Sequence, residues 1–322
     1  MSAQGVSIAA FYKFVAFTTE QVQTVREALE GFAKARGLRG LIVLGGEGLN
    51  ATVAGEPGVI RDLKALVCEL VSDPELQFKD SQADKLPFAR FKVDLRAEII
   101  TTKDPLLSAQ GLQTPQTSQV PQTSQTSQTS QVSQVPQGTH LTPSEWHQMM
   151  ESDPDVVVVD TRNDYETEIG VFEGALDPKI KKFSEFKEFV ERDGLPKHKK
   201  LLMYCTGGIR CEKAVPDVQR LGYENVYQLQ GGILRYLEEY PEGFFKGECF
   251  VFDHRVAVDS KLQPSQLYKL CPHCGNPGQE SISCVNCGEG AIICHRCMPQ
   301  SERNTCSKNC AYHAKVKGSK AP

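Results

Sequence analysis

Between Leu106 and Gln137 the chain is almost wholly Gln, Thr, Ser, Val and Pro and carries no charged residue. A stretch of that composition cannot bury enough apolar surface to offset the entropy of ordering it. Its Thr-Ser-Gln unit is too short and too polar to stack into a repeat architecture. Residues 105–138 therefore read as a disordered Gln/Ser/Thr linker with no chemistry of its own, and it divides the 322 residues into parts that fold on either side.

Before the linker, in residues 1–104, periodicity gives a strand at Val6 to Phe17 and an amphipathic helix at Glu20 to Ala35. Thr18 or Thr19 caps that helix and Gly37 stops it. Strands at Leu41 to Leu44 and Ala51 to Ala54 flank Gly45-Gly46-Glu47-Gly48-Leu49-Asn50, a helix runs from about Ile60 to Val71, and Phe88 to Ile100 alternates as a closing strand. The order β-α-β-β-α-β is that of a ferredoxin-like domain. The glycines between the two middle strands suit a hairpin better than a nucleotide cradle, with Glu47 and Asn50 as candidate substrate contacts.

After the linker, Thr142-Pro143-Ser144-Glu145 opens a helix and Val156 to Asp160 is a compact strand. Phe183 to Arg192 is helical, Leu201 to Tyr204 a strand, Lys213 to Leu221 a helix and Val226 to Leu229 a strand. Such alternation implies a doubly wound parallel sheet over residues 139–245, whose functional residues lie at the carboxyl ends of strands. Asp160 and Cys205 both sit there. An isolated cysteine is most often a buried structural residue. At Cys205, however, the strand gives way to Thr206-Gly207-Gly208-Ile209-Arg210 and then a helical pattern. N–H groups converging on the sulfur, a helix N-terminus and the Arg210 guanidinium all favour thiolate over thiol.

Residues 246–322 form a small Cys-rich segment. Eight of the twelve cysteines fall there in four pairs: Cys271 with Cys274, Cys284 with Cys287, Cys294 with Cys297, and Cys306 with Cys310. Two thiolates at such spacing fit one tetrahedral ion, so eight make two structural zinc sites, with free thiols or disulfides as the alternative. His273, His295 and His313 are then bystanders. A net charge of −4 implies no bulk attraction to nucleic acid, although Lys179 to Lys200 and Cys271 to Pro322 are locally basic. No basic leader precedes an apolar core and no stretch is long enough to cross a bilayer, so a soluble cytoplasmic protein with no membrane partner is expected.

Asp160-Thr161-Arg162-Asn163-Asp164-Tyr165-Glu166, Phe172-Glu173-Gly174-Ala175 and the loop Cys205 to Arg210 resemble the rhodanese homology domain. The fuller string Tyr204 to Lys213, with Gly46-Glu47-Gly48-Leu49-Asn50-Ala51-Thr52-Val53-Ala54-Gly55, resembles a narrower group, the rhodanese-domain tRNA uridine hydroxylases. These convert the wobble uridine of certain tRNAs to 5-hydroxyuridine in an oxygen-dependent reaction. The resemblance spans nearly all of the chain except the linker. It implies tRNA as partner, molecular oxygen as co-substrate, and a small-molecule or protein donor of sulfur or electrons. It makes Cys205 the persulfide-forming nucleophile, Arg210 its electrostatic partner, and Thr206, Gly207, Gly208 and Ile209 the cradle.

Asp160, Arg162 and Glu166 would brace that loop, unless they are only a structural ion-pair cluster. Cys211 would resolve an oxidised Cys205 as a disulfide, or simply face the sheet. The linker is long for this group, and Pro216 suits its helix only near the first turn. Three functions remain open: tRNA hydroxylation, sulfurtransferase activity moving sulfane sulfur to a thiol or tRNA acceptor, and a non-enzymatic zinc- or RNA-binding scaffold. The loop chemistry by itself points to sulfur transfer, and nothing in the sequence suggests iron, flavin or haem.

Overall fold

The computed structural model describes residues 5–104 and 139–318; the expected linker lies outside the described residues. The first sheet forms where apolar and polar residues alternate. Strands β1 (Val6–Phe14), β2 (Arg39–Gly45), β3 (Gly48–Gly55), β4 (Lys79–Ala83) and β5 (Phe91–Leu95) order as β4-β1-β3-β2-β5. Helices α1 (Thr19–Arg36) and α2 (Pro57–Leu70) connect them. Thr18 and Gln21 form a capping box at the start of α1, and Gly37 ends it at φ 69°, a left-handed conformation that a Cβ disfavours.

The first four strands have the ferredoxin-like order. The closing strand is β4, antiparallel to β1, not the expected Phe88 to Ile100, whose ordered part is the added strand β5, parallel to β2. β4 reads Lys-Asp-Ser-Gln-Ala and has no apolar run by which to recognise it.

The faces of this sheet differ. Ala9, Phe11, Leu44, Leu49, Ala51 and Val53 pack against Val25, Leu29, Ile60 and Leu63 of α1 and α2. Alternate residues point to the opposite face, which neither helix covers: Tyr12 and Phe14 of β1 with Leu41 and Val43 of β2. These meet Ile99, Ile100 and Ile209, which lies in the second half of the chain.

The second sheet has the parallel order β6-β10-β9-β7, from β6 (His140–Leu141), β7 (Val156–Asp160), β9 (Lys200–Tyr204) and β10 (Val226–Leu229). Its near-continuous apolar strands suit a sheet covered on both faces. Helices α3 (Pro143–Ser152) and α7 (Gly232–Glu239) pack with Trp146, Phe172, Tyr204 and Tyr236, whereas α5 (Phe186–Asp193) and α6 (Ile209–Arg220) pack with Phe186, Met203, Val215 and Val218. Between β7 and β8 (Gly170–Phe172) lies the single-turn α4 (Asp164–Thr167). Pro216 is interior to α6, past its first turn, and the helix runs on to Arg220; lacking an N–H, Pro216 cannot satisfy the Glu212 carbonyl.

Strand β11 (Phe245–Gly247) pairs with β8, and β12 (Cys249–Phe250) with β13 (Ala257–Val258). The last segment holds β14 (Lys269–Leu270), β15 (Pro277–Gly278), β16 (Glu280–Ser283), β17 (Gly290–Ile293) and α8 (Lys308–Gly318). Among the described residues no helix is long and apolar enough to cross a membrane.

Candidate active site

Strand β9 ends at Tyr204 and the chain must turn at once into α6. Gly208 supplies the turn with φ 99° and donates its N–H to Cys205 Sγ at 3.1 Å. A Cβ on Gly208 would lie 2.9 Å from the Tyr12 hydroxyl, so the close approach of the first sheet also requires glycine. The loop carbonyls are tied away from the sulfur: Ile233 N–H donates to Cys205 O at 3.0 Å and Leu234 N–H to Thr206 O at 3.1 Å. With its carbonyls fixed by α7, the loop presents its N–H groups to Cys205.

Burial disfavours a thiolate at Cys205. A hydrogen bond from Cys211, the Arg210 charge and the N–H groups of Arg210 and Cys211 outweigh it and bring the group down to about 6. Burial and the same hydrogen bond hold the Cys211 thiol well above its ordinary value, so Cys211 stays protonated and donates. Thr161 Oγ1 lies 3.7 Å from Cys211 Sγ.

Arg210 is 4% exposed and is clamped by Glu166, with Nη1 to Oε2 and Nη2 to Oε1 both at 2.7 Å. Burial opposes the Glu166 carboxylate, but the Arg210 charge and hydrogen bonds and the Arg162 charge keep it ionised. Thr206 Oγ1 donates to Glu166 at 3.2 Å.

Asp160 and Arg162 do not reach the sulfur and join this group only through Glu166, whose carbonyl accepts from Arg162 Nη1 at 3.5 Å. They form a fully buried pair of their own, Nη2 to Oδ2 at 2.7 Å. Arg162 also donates to Gly170 O at 2.6 Å and lies over the Tyr204 and Phe245 rings, bracing β7 against β8 and β11. The loop residues and Glu166 thus come together with Cys205, and Asp160 and Arg162 stand one layer behind.

A cavity of about 650 Å³ opens over Cys205, Thr206, Gly207, Ile209 and Arg210. Its roof is the open face of the first sheet, with Ile8, Ala10, Tyr12, Leu41, Val43, Asn50, Thr52, Lys79 and Ser81, and its third wall is Val251, Phe252 and Arg255. Asn50 therefore lines the cavity. Glu47 does not: it is 3% exposed, accepts from Ile99 N–H at 2.6 Å and pairs with Lys213 Nζ at 2.9 Å. Lys213 also reaches Glu98 at 3.1 Å and Ile100 O at 2.9 Å, locking the two sheets together.

Lys79, Tyr12 and Phe252 escaped the sequence reading. Tyr12 donates its hydroxyl to Glu212 at 2.8 Å. Phe252 is 57% exposed, and Arg210 lies 5.9 Å from the centre of its ring. The available signal was β1 itself: Ala10, Tyr12 and Phe14 between Ala9, Phe11 and Lys13 leave it no wholly polar face, so both faces had to be covered.

The eight C-terminal cysteines gather into two groups: Cys271, Cys274, Cys294 and Cys297, and Cys284, Cys287, Cys306 and Cys310. The first pair joins the third and the second joins the fourth, so the two sites interleave. All eight are free thiols, and within each group the sulfurs lie within 4.8 Å of one another. Tetrahedral zinc with Zn–S of about 2.3 Å requires S···S edges of about 3.8 Å, and Cys287 to Cys306 and Cys306 to Cys310 are 3.6 and 3.5 Å. Both groups fit a metal ion. His273 instead bonds Thr305 O at 2.9 Å. The segment docks through Arg296, which reaches Asp164 at 3.1 Å and also Glu168, on either side of Glu166.

Residues 142–239 match the rhodanese-like domain, residues 6–99 the UPF0176 acylphosphatase-like domain and residues 246–311 the rhodanase C-terminal model. Among curated proteins, the tRNA uridine(34) hydroxylase of Bdellovibrio bacteriovorus is 43% identical over 97% of this chain and 84% of its own. Those of Teredinibacter turnerae and Sinorhizobium medicae are each 40% identical, over 91% and 87% of this chain and 84% of each relative. With three family models matched in order and relatives aligned along most of their length, the chain belongs to the tRNA uridine(34) hydroxylase family.

Proposed function

We propose that this enzyme hydroxylates the wobble uridine of tRNA at C5, with Cys205 as the nucleophile. The observation that carries this reading is a sulfur that accepts from a loop amide, beside a guanidinium clamped by Glu166, at the floor of a cavity of about 650 Å³ walled by three parts of the chain. That volume is within the usual range for small-molecule sites, roughly 300–1,000 Å³. A base reaches such a floor only when splayed out of the stack, which a single-stranded anticodon loop permits. Phe252, exposed at the cavity wall, offers a face for stacking.

In this reading Arg210, through Glu166, holds positive charge beside the sulfur, and the loop from Thr206 to Ile209 cradles either a thiolate or a persulfide. Asp160 and Arg162 position α4. Molecular oxygen is the co-substrate: uridine, O₂, two electrons and two protons give 5-hydroxyuridine and water, so a two-electron donor takes part. The two Cys₄ groups hold structural zinc and fix the segment that carries Arg296. The functional units are residues 1–104, 139–245 and 246–322, and the enzyme works where tRNA is found, in the cytoplasm.

The test is nucleoside mass spectrometry of tRNA lacking 5-hydroxyuridine after incubation with the protein and a reductant under air. The wild type creates the nucleoside and Cys205→Ala does not. Thiosulfate sulfurtransferase activity without 5-hydroxyuridine would overturn the reading.

A further inference from the structure

Lys79 is an unusual cation. It is 9% exposed, it comes from the edge strand of the first sheet, and it lines the cavity above Cys205. Its Cδ and Cε lie 3.8 and 3.9 Å from where a Cβ on Gly207 would stand, so its stem lies against the thiolate loop. Its contact is with the Tyr12 ring, at 4.6 Å, and among the described residues no carboxylate pairs with it. The other cations lining the cavity differ. Arg210 is clamped by Glu166, Arg255 by Asp253 and Arg96 by Asp94, while Lys103 and Lys182 are exposed. A buried ammonium that no carboxylate clamps keeps its N–H donors unused, and here they face the cavity above the Cys205 sulfur.

Resting on the proposed hydroxylation, we infer that Lys79 is a catalytic residue that stabilises negative charge on the uracil when Cys205 adds to its ring. The step balances without an oxidant. The Cys205 sulfur forms a bond to C6, the C5–C6 double bond opens, and its electron pair passes to C5 and on to O4 as an enolate. The Lys79 ammonium donates a hydrogen bond to O4. The addition makes C5 electron-rich, as it must be to accept oxygen. Preorganised charge at the atom where charge develops is the most effective help a site can give such a step. Tyr12 does not serve, since its hydroxyl is committed to Glu212.

The groups facing Lys79 are Cys205 after β9, Glu212 on α6, Glu238 on α7 and Tyr12 on β1. Burial pulls its ammonium down to about 8, against the favourable charges of Cys205, Glu212 and Glu238.

The reversible half of the reaction has its own readout. Wobble-unmodified tRNA incubated with the enzyme in D₂O without oxygen gains one deuterium at C5 of that uridine, because protonation of the enolate at C5 and loss of sulfur exchange the hydrogen. Lys79→Met slows this exchange and aerobic hydroxylation about 100-fold, while iodoacetamide still alkylates Cys205. Wild-type exchange falls away above a midpoint of about 8, and Lys79→Arg, permanently charged, extends it to higher pH. If Lys79→Met alters Cys205 alkylation and so disturbs the cavity, the Lys79→Arg profile decides. Exchange at the wild-type rate in Lys79→Met, an unshifted limb in Lys79→Arg, or hydroxylation by a wild type that shows no anaerobic exchange overturns the inference. A wild type that neither exchanges nor hydroxylates overturns the parent reading and this inference with it.

Discussion

Replacing Arg210 by Met removes the largest full charge that favours the Cys205 thiolate and leaves the loop amides, Cys211 and Lys79 in place. An opposite charge a few ångströms away lowers a pKa by about 1–3 units, so Cys205 should move from about 6 to roughly 7–9. At pH 6 the wild type is about half ionised and the variant between about a tenth and a thousandth, so alkylation slows about 5- to 500-fold. The substitution also strands Glu166, fully buried and now unpaired, at a cost of about 3–5 kcal/mol in stability. Glu166→Gln with Arg210→Met removes both charges and should recover part of that stability while leaving the thiol pKa raised. The assay is the iodoacetamide rate from pH 5 to 9, assigned to Cys205 by peptide mass spectrometry, with melting followed in parallel. A midpoint that stays near 6 in both variants would show that the amides, Cys211 and Lys79 hold the thiolate without the guanidinium, which then only supports the loop.

Elemental analysis of protein purified without chelator should find two zinc ions per chain. Cys274→Ser should remove one and Cys287→Ser the other, because Cys274 belongs to the group built from the first and third pairs and Cys287 to the group built from the second and fourth. For Cys205, the folded pKa of about 6 lies below the unfolded value near 8.5. The unfolded chain therefore binds the extra proton between those limits, and ionisation stabilises the fold above the upper limit and ceases to do so as pH falls through about 6. The melting-temperature difference between wild type and Cys205→Ser should grow from pH 6 to 8.5; a flat difference would mean the thiol is not ionised.

The parts of this chain legible in sequence are those where local chemistry and tertiary structure ask for the same residue. Gly37, Thr18 and the Thr142 capping box are of that kind, since each satisfies a helix end within a few residues. The thiolate loop is another, because the strand, the glycines and Arg210 are contiguous and act on one sulfur. Legibility fails where a role is set by something distant. β4 has no apolar alternation because it is a short edge strand, and Lys79 has a function only because the sheet docks onto a loop more than a hundred residues away. Glu47 sits in a glycine-rich turn that suggests a ligand contact, yet its partner is Lys213. Asp160 and Arg162 stand at the carboxyl end of a strand, as a catalytic pair would. Their side chains turn instead toward Gly170 and the aromatic rings behind the loop, a choice of rotamer that spacing alone does not reveal.

A thiolate in an amide loop is common to several chemistries, and by itself it suggests transfer of sulfur. What redirects it here is enclosure. The ferredoxin-like sheet keeps its two helices on one face and spends the other as the roof of the cavity, so alternate residues in the middle of β1, β2, β3 and β4 become wall residues. A roofed thiolate is shielded from bulk water, and its electrostatic partners act at lower dielectric. The buried lock of Lys213 on Glu47 and Glu98 holds that roof in register. Lys213→Met should therefore let iodoacetamide reach Cys205 faster at pH values where the thiol is already fully ionised. A rate unchanged by opening the lock would mean that the sheet covers the sulfur without governing access to it.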